Sequence, residues 1–174
     1  MAVTWRVGAD EYVPAFADYV AEIGEEEDVL AVLSEQLEQI VARLGDLPDA
    51  RGGYLYAPGK WTVKDVIGHL ADTERVFAFR ALWIGRGESA PQPGYDDQSW
   101  VAQTGAEQRT LADMVEEWTY VRRATLALFR PLSADAWQRR GRAGDGETTV
   151  RALALIIAGH TRHHVRVLEA RYLG

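Results

Sequence analysis

The sequence contains no cysteine, and its 174 residues include only six prolines and two methionines. The lack of cysteine excludes disulfides, thiolate metal sites and a cysteine nucleophile. No stretch approaches the roughly 20 apolar residues that a membrane-spanning helix needs, and the N-terminus lacks the basic and apolar regions of a signal peptide. We therefore expect a cytoplasmic protein that does not associate with membranes.

Positive charge is also scarce, with 19 Lys and Arg against 26 Asp and Glu and a formal net charge of −7. This balance argues against a nucleic-acid partner, because such binding depends on contacts to phosphates. Part of the acidic excess is the run at residues 25–28, which we interpret as the solvated N-terminus of a helix. Hydrophobic residues form 47% of the chain and include six Trp, which predicts one packed domain over residues 1–174.

Four segments show the apolar period of an amphipathic helix, namely residues 25–44, 63–84, 110–129 and 149–172. Residues 1–20 predict an irregular arm. Residues 85–108 predict a long connection with one short helical turn near Trp100. Residues 133–137 predict another short turn of helix, and residues 141–146 a turn or a two-stranded excursion. The expected fold is all-α, a four-helix bundle with a long crossover connection and a core over about residues 25–172.

Histidines are the most informative residues, since there are only four. At about 100° per residue, His160 and His164 fall on the apolar stripe of the last helix and His163 at its edge. Two imidazoles four residues apart point the same way and can share one ion. His69 flanks the stripe of the second predicted helix. This pattern predicts a divalent metal held by His69, His160 and His164 with open coordination positions; the alternative is hydrogen-bonded core histidines.

The spacing does not choose among zinc, nickel, copper and iron, because imidazole suits all four. Two acidic residues, Asp72 and Glu74, lie off the helical line of His69. Either could support the site or be solvated, and for Glu74 we expect the solvated state.

Three stretches carry a family resemblance. Residues 59–75 read GKWTVKDVIGHLADTER, residues 79–82 read FRAL and are followed by YDDQ at 95–98, and residues 159–164 read GHTRHH. In this combination the chain resembles the DinB-like superfamily, in particular its YfiT-like branch, over most of residues 55–172. The resemblance implies an up-down-down-up four-helix bundle, zinc or nickel as the ion, and the same three ligands. His163 matches a common family position that is not normally a ligand.

The resemblance also implies a range of functions. Some relatives resemble transferases that join bacillithiol or mycothiol to an electrophile, and others resemble a mycothiol-dependent maleylpyruvate isomerase. We expect a metal-dependent transferase, whose thiol must come from a cofactor because the chain has no cysteine. Arg80, on the same helix flank as His69, is predicted to bind a carboxylate of that thiol; its alternatives are a salt bridge or a loop cap.

Two other functions stay open. A metal-dependent hydrolase would need a general base, and the helices lack the glutamate of an H-E-x-x-H motif. A non-enzymatic, stress-related metal-binding bundle is the other alternative. Val76, Phe79 and Trp83 form a second apolar line that can pack a third helix or a twin subunit. From this line and the resemblance we expect a homodimer that acts on a small-molecule substrate.

Overall fold

The computed structural model describes residues 4–173. Side-chain caps begin the four long helices, since Asp28, Thr62, Thr110 and Thr149 each accept a hydrogen bond from a backbone N–H of the first turn. At Thr62 the cap is reciprocal, because Asp65 accepts from the Thr62 backbone N–H. In chain order the elements are α1 (Ala17–Ala21), α2 (Val29–Leu44), α3 (Asp49–Gly52), α4 (Val63–Gly85), α5 (Asp97–Val101), α6 (Leu111–Phe129), α7 (Ala134–Gln138), β1 (Arg140–Ala143), β2 (Gly146–Thr149) and α8 (Val150–Arg171).

The four long helices, α2, α4, α6 and α8, form the bundle. α4 and α2 each pack against both α6 and α8. One apolar cluster joins the starts of α2 and α8 to the ends of α4 and α6, and a second cluster joins the opposite ends. Therefore α2 and α8 run one way while α4 and α6 run the other. The predicted four-helix bundle with up-down-down-up topology is confirmed.

The differences from the predicted boundaries have local causes. α2 starts at Val29 rather than at residue 25, because Asp28 is the N-cap and accepts from the N–H groups of Leu30 and Ala31. The N-terminal arm contains α1 and a 3-10 turn at Pro14–Phe16. The predicted excursion near residues 141–146 is a hairpin of β1 and β2, whose turn uses Gly144 at a φ of 60°.

A buried guanidinium occupies the middle of the bundle, between the two apolar clusters. Arg122 of α6 is 0% exposed, and its Nε and Nη2 donate to the two carboxylate oxygens of Glu74 on α4 at 2.8 and 2.9 Å. Its Nη1 donates to Leu33 O and Gln36 Oε1 on α2, and Nη2 also donates to Thr161 Oγ1 on α8. All five N–H groups of the guanidinium thus have partners, on three different helices.

The expectation that Glu74 is solvated is wrong. Its side chain is 2% exposed and forms the bidentate pair with Arg122. The periodicity of α4 places Glu74 off the line of His69. This periodicity cannot show that Arg122, on the separate helix α6, pairs with Glu74. A charged residue on a buried flank is tolerated here because its partner is equally buried.

No helix among residues 4–173 is both long enough and apolar enough to cross a membrane.

Replacing Arg122 by Met will lower the free energy of unfolding by about 3–5 kcal/mol, because it leaves the Glu74 carboxylate buried without a partner. The double variant Glu74→Leu, Arg122→Met will recover much of this loss. Urea unfolding followed by circular dichroism measures both. Arg75→Met is the matched control: Arg75 is 47% exposed in its ion pairs with Asp72 and Glu117, so it should cost at most about 1 kcal/mol. Equal losses in the two single variants would contradict the prediction.

Candidate metal centre

Three of the four histidines meet at one point between α4 and α8. The Nε2 atoms of His69 and His160 lie 2.9 Å apart. His164 sits one turn after His160, with ring centroids 4.5 Å apart, and its ring centroid is 4.9 Å from that of His69. One nitrogen from each of the three rings lies within 4.8 Å of the others. The structure therefore brings together the three residues predicted as metal ligands.

The donor set of this cluster fits a divalent ion. Two nitrogens at about 2.0–2.1 Å from one tetrahedral ion lie roughly 3.3 Å apart, and the spacing of His69 and His160 is close to this value. The second ring nitrogen of His69, Nδ1, lies 3.4 Å from Thr73 Oγ1, which accepts a hydrogen bond from Tyr95 Oη. A ligating imidazole commonly hydrogen-bonds an oxygen atom through its other ring nitrogen, which holds the orientation of the ring.

Burial keeps these imidazoles neutral, as metal ligands must be. It lowers the pKa of His69 from 6.5 to about 4, against the opposing charge of Asp97. Burial, together with the neighbouring His69 and His163, lowers the pKa of His164 to about 3. The pKa of His160 is also held well below its usual value, first by burial and then by the surrounding histidines and Arg122. At neutral pH all three side chains present lone pairs.

Aromatic side chains flank the cluster on two sides. The Trp61 ring lies 4.7 Å from the His69 ring and stacks over His164 at 6.3 Å between centroids. On the other side, Tyr19 of α1 meets His160 edge to face at 5.1 Å. These rings cover part of the cluster on both sides.

The position of Tyr19 depends on a glycine in α8. A Cβ at Gly159 would lie 1.8 Å from the carbonyl oxygen of Tyr19, so any other residue would push α1 away from α8. The glycine directly before His160 thus permits the close approach that places an aromatic ring beside the cluster.

Sequence reasoning missed the role of Asp97. This residue begins α5, which packs on α4. Its negative charge acts to raise the pKa of His69, against the larger effect of burial. Burial is the main cause of the raised pKa of Tyr19 and of Tyr95, and the charge of Asp97 adds to it. The only sequence signal was its place in the YDDQ stretch, in a connection that has no helical period to predict which side chains turn inward.

A cavity of about 350 Å³ opens beside the cluster. His164 lines it together with His163, Trp61, Gln98 and Lys60. His163 is not part of the three-histidine cluster, as the resemblance implied. The arrangement combines candidate ligands with a cavity of the size that accepts a small molecule.

Arg80 lies further along α4, and its predicted contact with a carboxylate stays a prediction. Its Nη2 donates to Pro93 O at 2.9 Å, which is the loop-capping alternative. Its guanidinium packs against the rings of Phe77 and Tyr95. Among residues 4–173 it has no salt bridge, so that alternative is not what the structure shows.

The metal-free protein should lose stability as the pH falls from 6.5 toward 4. Above pH 6.5 the three cluster histidines are neutral whether the chain is folded or unfolded. Below pH 6.5 these histidines take up protons in the unfolded chain, whereas the folded cluster excludes those protons. Each excluded proton costs up to about 1.4 kcal/mol per pH unit. Urea unfolding in chelator at several pH values measures the slope, which should be smaller in His69→Gln than in the control His163→Gln. Equal slopes in these two variants would show that proton uptake by the cluster histidines does not cause the loss.

Comparison with known proteins agrees with this fold. YfiT from Bacillus subtilis, described as a probable metal-dependent hydrolase with an unusual four-helix bundle topology, matches with a TM-score of 0.69 and 21% identity, over 92% of this chain and 93% of that one. The mycothiol-dependent maleylpyruvate isomerase matches with a TM-score of 0.67 and 16% identity, over 84% of this chain and 61% of that one. At these identities the likeness concerns the fold. No curated protein matches the chain in sequence. The family model of the DinB superfamily matches residues 32–168, and the chain therefore belongs to the DinB superfamily.

Proposed function

We propose that this protein is a metal-dependent transferase that joins a low-molecular-weight thiol, of the bacillithiol or mycothiol type, to a small electrophile. One zinc or nickel ion is assigned to His69, His160 and His164. The observation that carries the proposal is the convergence of these three imidazoles beside an open cavity. A divalent ion with an open position lowers the pKa of a coordinated thiol, which supplies a thiolate near neutral pH.

The thiol has to come from outside the chain, because the chain has no cysteine. The structural likeness to a protein named for its dependence on mycothiol supports this type of cofactor. Cytoplasm is the location we assign, since thiols are kept reduced there.

The residues around the cluster have defined tasks in this proposal. Trp61 and Tyr19 keep water away from the imidazoles, so that charge on the reacting sulfur is not dispersed by solvent. Lys60 and Gln98 line the cavity next to His164 and can contact polar groups of the thiol. Arg80 is the proposed anchor for a ligand carboxylate.

A metal-dependent hydrolase is the second candidate. A hydrolase needs a general base near the metal, and Asp97, at the start of the short helix α5 that packs on α4, is the carboxylate assigned to that role in this alternative. The likeness to YfiT, described as a probable metal-dependent hydrolase, agrees with this candidate. A metal-binding bundle without catalytic activity is the remaining alternative.

Purified, untagged protein should hold about one zinc or nickel ion per chain by elemental analysis. The double variant His160→Ala, His164→Ala should lose it, because one imidazole cannot hold the ion alone. His163→Ala is the matched control, since it lies on the same helix outside the cluster, and it should keep the ion. Circular dichroism checks that each variant stays helical. Absence of metal from the wild type after incubation with Zn²⁺ and Ni²⁺ would end the proposal.

Turnover then separates the candidate functions. The metal-loaded protein should consume bacillithiol or mycothiol in the presence of an aryl halide or an unsaturated acid, and the double histidine variant should not. Asp97→Asn should keep thiol consumption within a few-fold of wild type, because the thiol needs no base from the protein once it is coordinated. If instead no thiol is consumed but esters are hydrolysed, with activity lost in Asp97→Asn, the hydrolase is correct.

The homodimer predicted from the line of Val76, Phe79 and Trp83 is proposed to form through the groove between α4 and α6, which Phe79 of that line borders. Apolar side chains line it, including Leu82, which is 37% exposed, and Tyr120, which is 58% exposed. A two-fold contact would cover the same groove on both subunits. Sedimentation equilibrium should show a dimer for the wild type and a monomer for Leu82→Lys, Tyr120→Lys. Leu55→Lys, at an exposed apolar residue of the α3–α4 connection, is the control and should stay dimeric; a monomeric wild type would refute the dimer.

A further inference from the structure

A second cavity, of about 370 Å³, lies on the outer flank of α4, where the segment around residues 92–100 crosses it. Its walls are mainly apolar, formed by Val76 and Phe79 of α4 and by Tyr95 and Trp100 from the crossing segment. Tyr95 separates it from the histidine cluster, because its hydroxyl donates to Thr73 Oγ1 on the cluster side. The cavity is within the size range of small-ligand sites.

Arg80 lines this cavity, and its charge is not neutralised by the protein. The residue is 4% exposed, yet its guanidinium makes one hydrogen bond, to Pro93 O. No carboxylate lies within salt-bridge distance of it in residues 4–173. The enclosed guanidinium of Arg122, in contrast, has a partner for every N–H group. A buried cation with no counter-ion is costly, and an anionic ligand removes that cost.

A second polar group in the same wall lacks a partner. Gln92 is 8% exposed, and its side-chain Nε2 is buried without a hydrogen bond. Buried amide groups are normally paired, so an orphaned one beside an unneutralised guanidinium is a second indication of a missing ligand.

One acidic residue, Asp72, also lines the cavity, but its charge is already paired. Arg75 Nη1 lies 3.2 Å from Asp72 Oδ1. Asp72 therefore does not neutralise Arg80.

We propose that this cavity binds a small monocarboxylic acid with an apolar or aromatic body, whose carboxylate pairs with Arg80. The aromatic walls cover the body, and the Gln92 amide hydrogen-bonds the same carboxylate after rotating toward it. The inference rests on the proposed function for the role of Arg80 as an anchor, and it adds the ligand class. The acid is a ligand distinct from the thiol cofactor, since a sugar-bearing thiol would not match apolar walls.

Isothermal titration with phenylacetate tests the site without turnover. Wild-type protein should bind phenylacetate and should not bind the neutral phenylacetamide. Arg80→Gln should bind at least about tenfold more weakly, because a charge-assisted hydrogen bond is lost. Arg80→Lys should be intermediate, since it keeps the charge without the planar fork. Arg86→Gln is the matched control, because Arg86 is an exposed arginine at the C-terminal end of α4 that does not line the cavity, and it should bind as the wild type does.

Three outcomes would overturn the proposal. These are no binding of phenylacetate at millimolar concentrations, equal losses in the Arg80 and Arg86 variants, and binding of N-acetylcysteine in place of phenylacetate, which would assign the site to the thiol. Thermal unfolding and metal content of each variant show whether Arg80→Gln has damaged the fold or the histidine cluster. Because these readouts need neither thiol nor turnover, failure of the acid site is distinct from failure of the proposed transferase.

Discussion

A positive charge lies at the centre of this bundle, and the way the four long helices meet depends on how that charge is satisfied. Arg122 reaches three other helices with donors that point in fixed directions. A shift of any helix along its axis would leave a buried donor or the Glu74 carboxylate without a partner, at a cost that apolar packing alone would not impose. The apolar clusters above and below it supply most of the driving force, while this polar layer sets the register.

The same layer positions the histidines. Thr161, which accepts from Arg122, directly follows His160 in α8, and Glu74 directly follows Thr73, the residue behind His69. The register fixed by the guanidinium is therefore the register at which imidazoles from α4 and α8 meet. Its charge also contributes, after burial and the other histidines, to the lowered pKa of His160. Arg122 thus helps to position the candidate ligands and adds to the burial that keeps His160 neutral.

The sequence predicts well those features that depend on short-range periodicity. His160 and His164 share a face because four residues make about one helical turn, and the caps at Thr62 and Thr110 follow from the first turn of each helix. The burial of Glu74 was not predicted, because it depends on a residue 48 positions later in the chain. Tyr19 and Asp97 reach the site from non-periodic segments, where no pattern shows which side chain turns inward.

The long connection between α4 and α6 has a topological cause and a chemical consequence. Two parallel neighbouring helices cannot be joined by a tight turn, because the chain has to return along the whole length of the bundle. This return path runs beside α4, and it carries Gln92 and Tyr95 to the flank of Arg80 and Gln98 to the cavity beside His164. An antiparallel arrangement of α4 and α6 would need only a short loop and would leave both sites without these residues. The order of the helices is thus what allows one segment to cover two neighbouring sites at once.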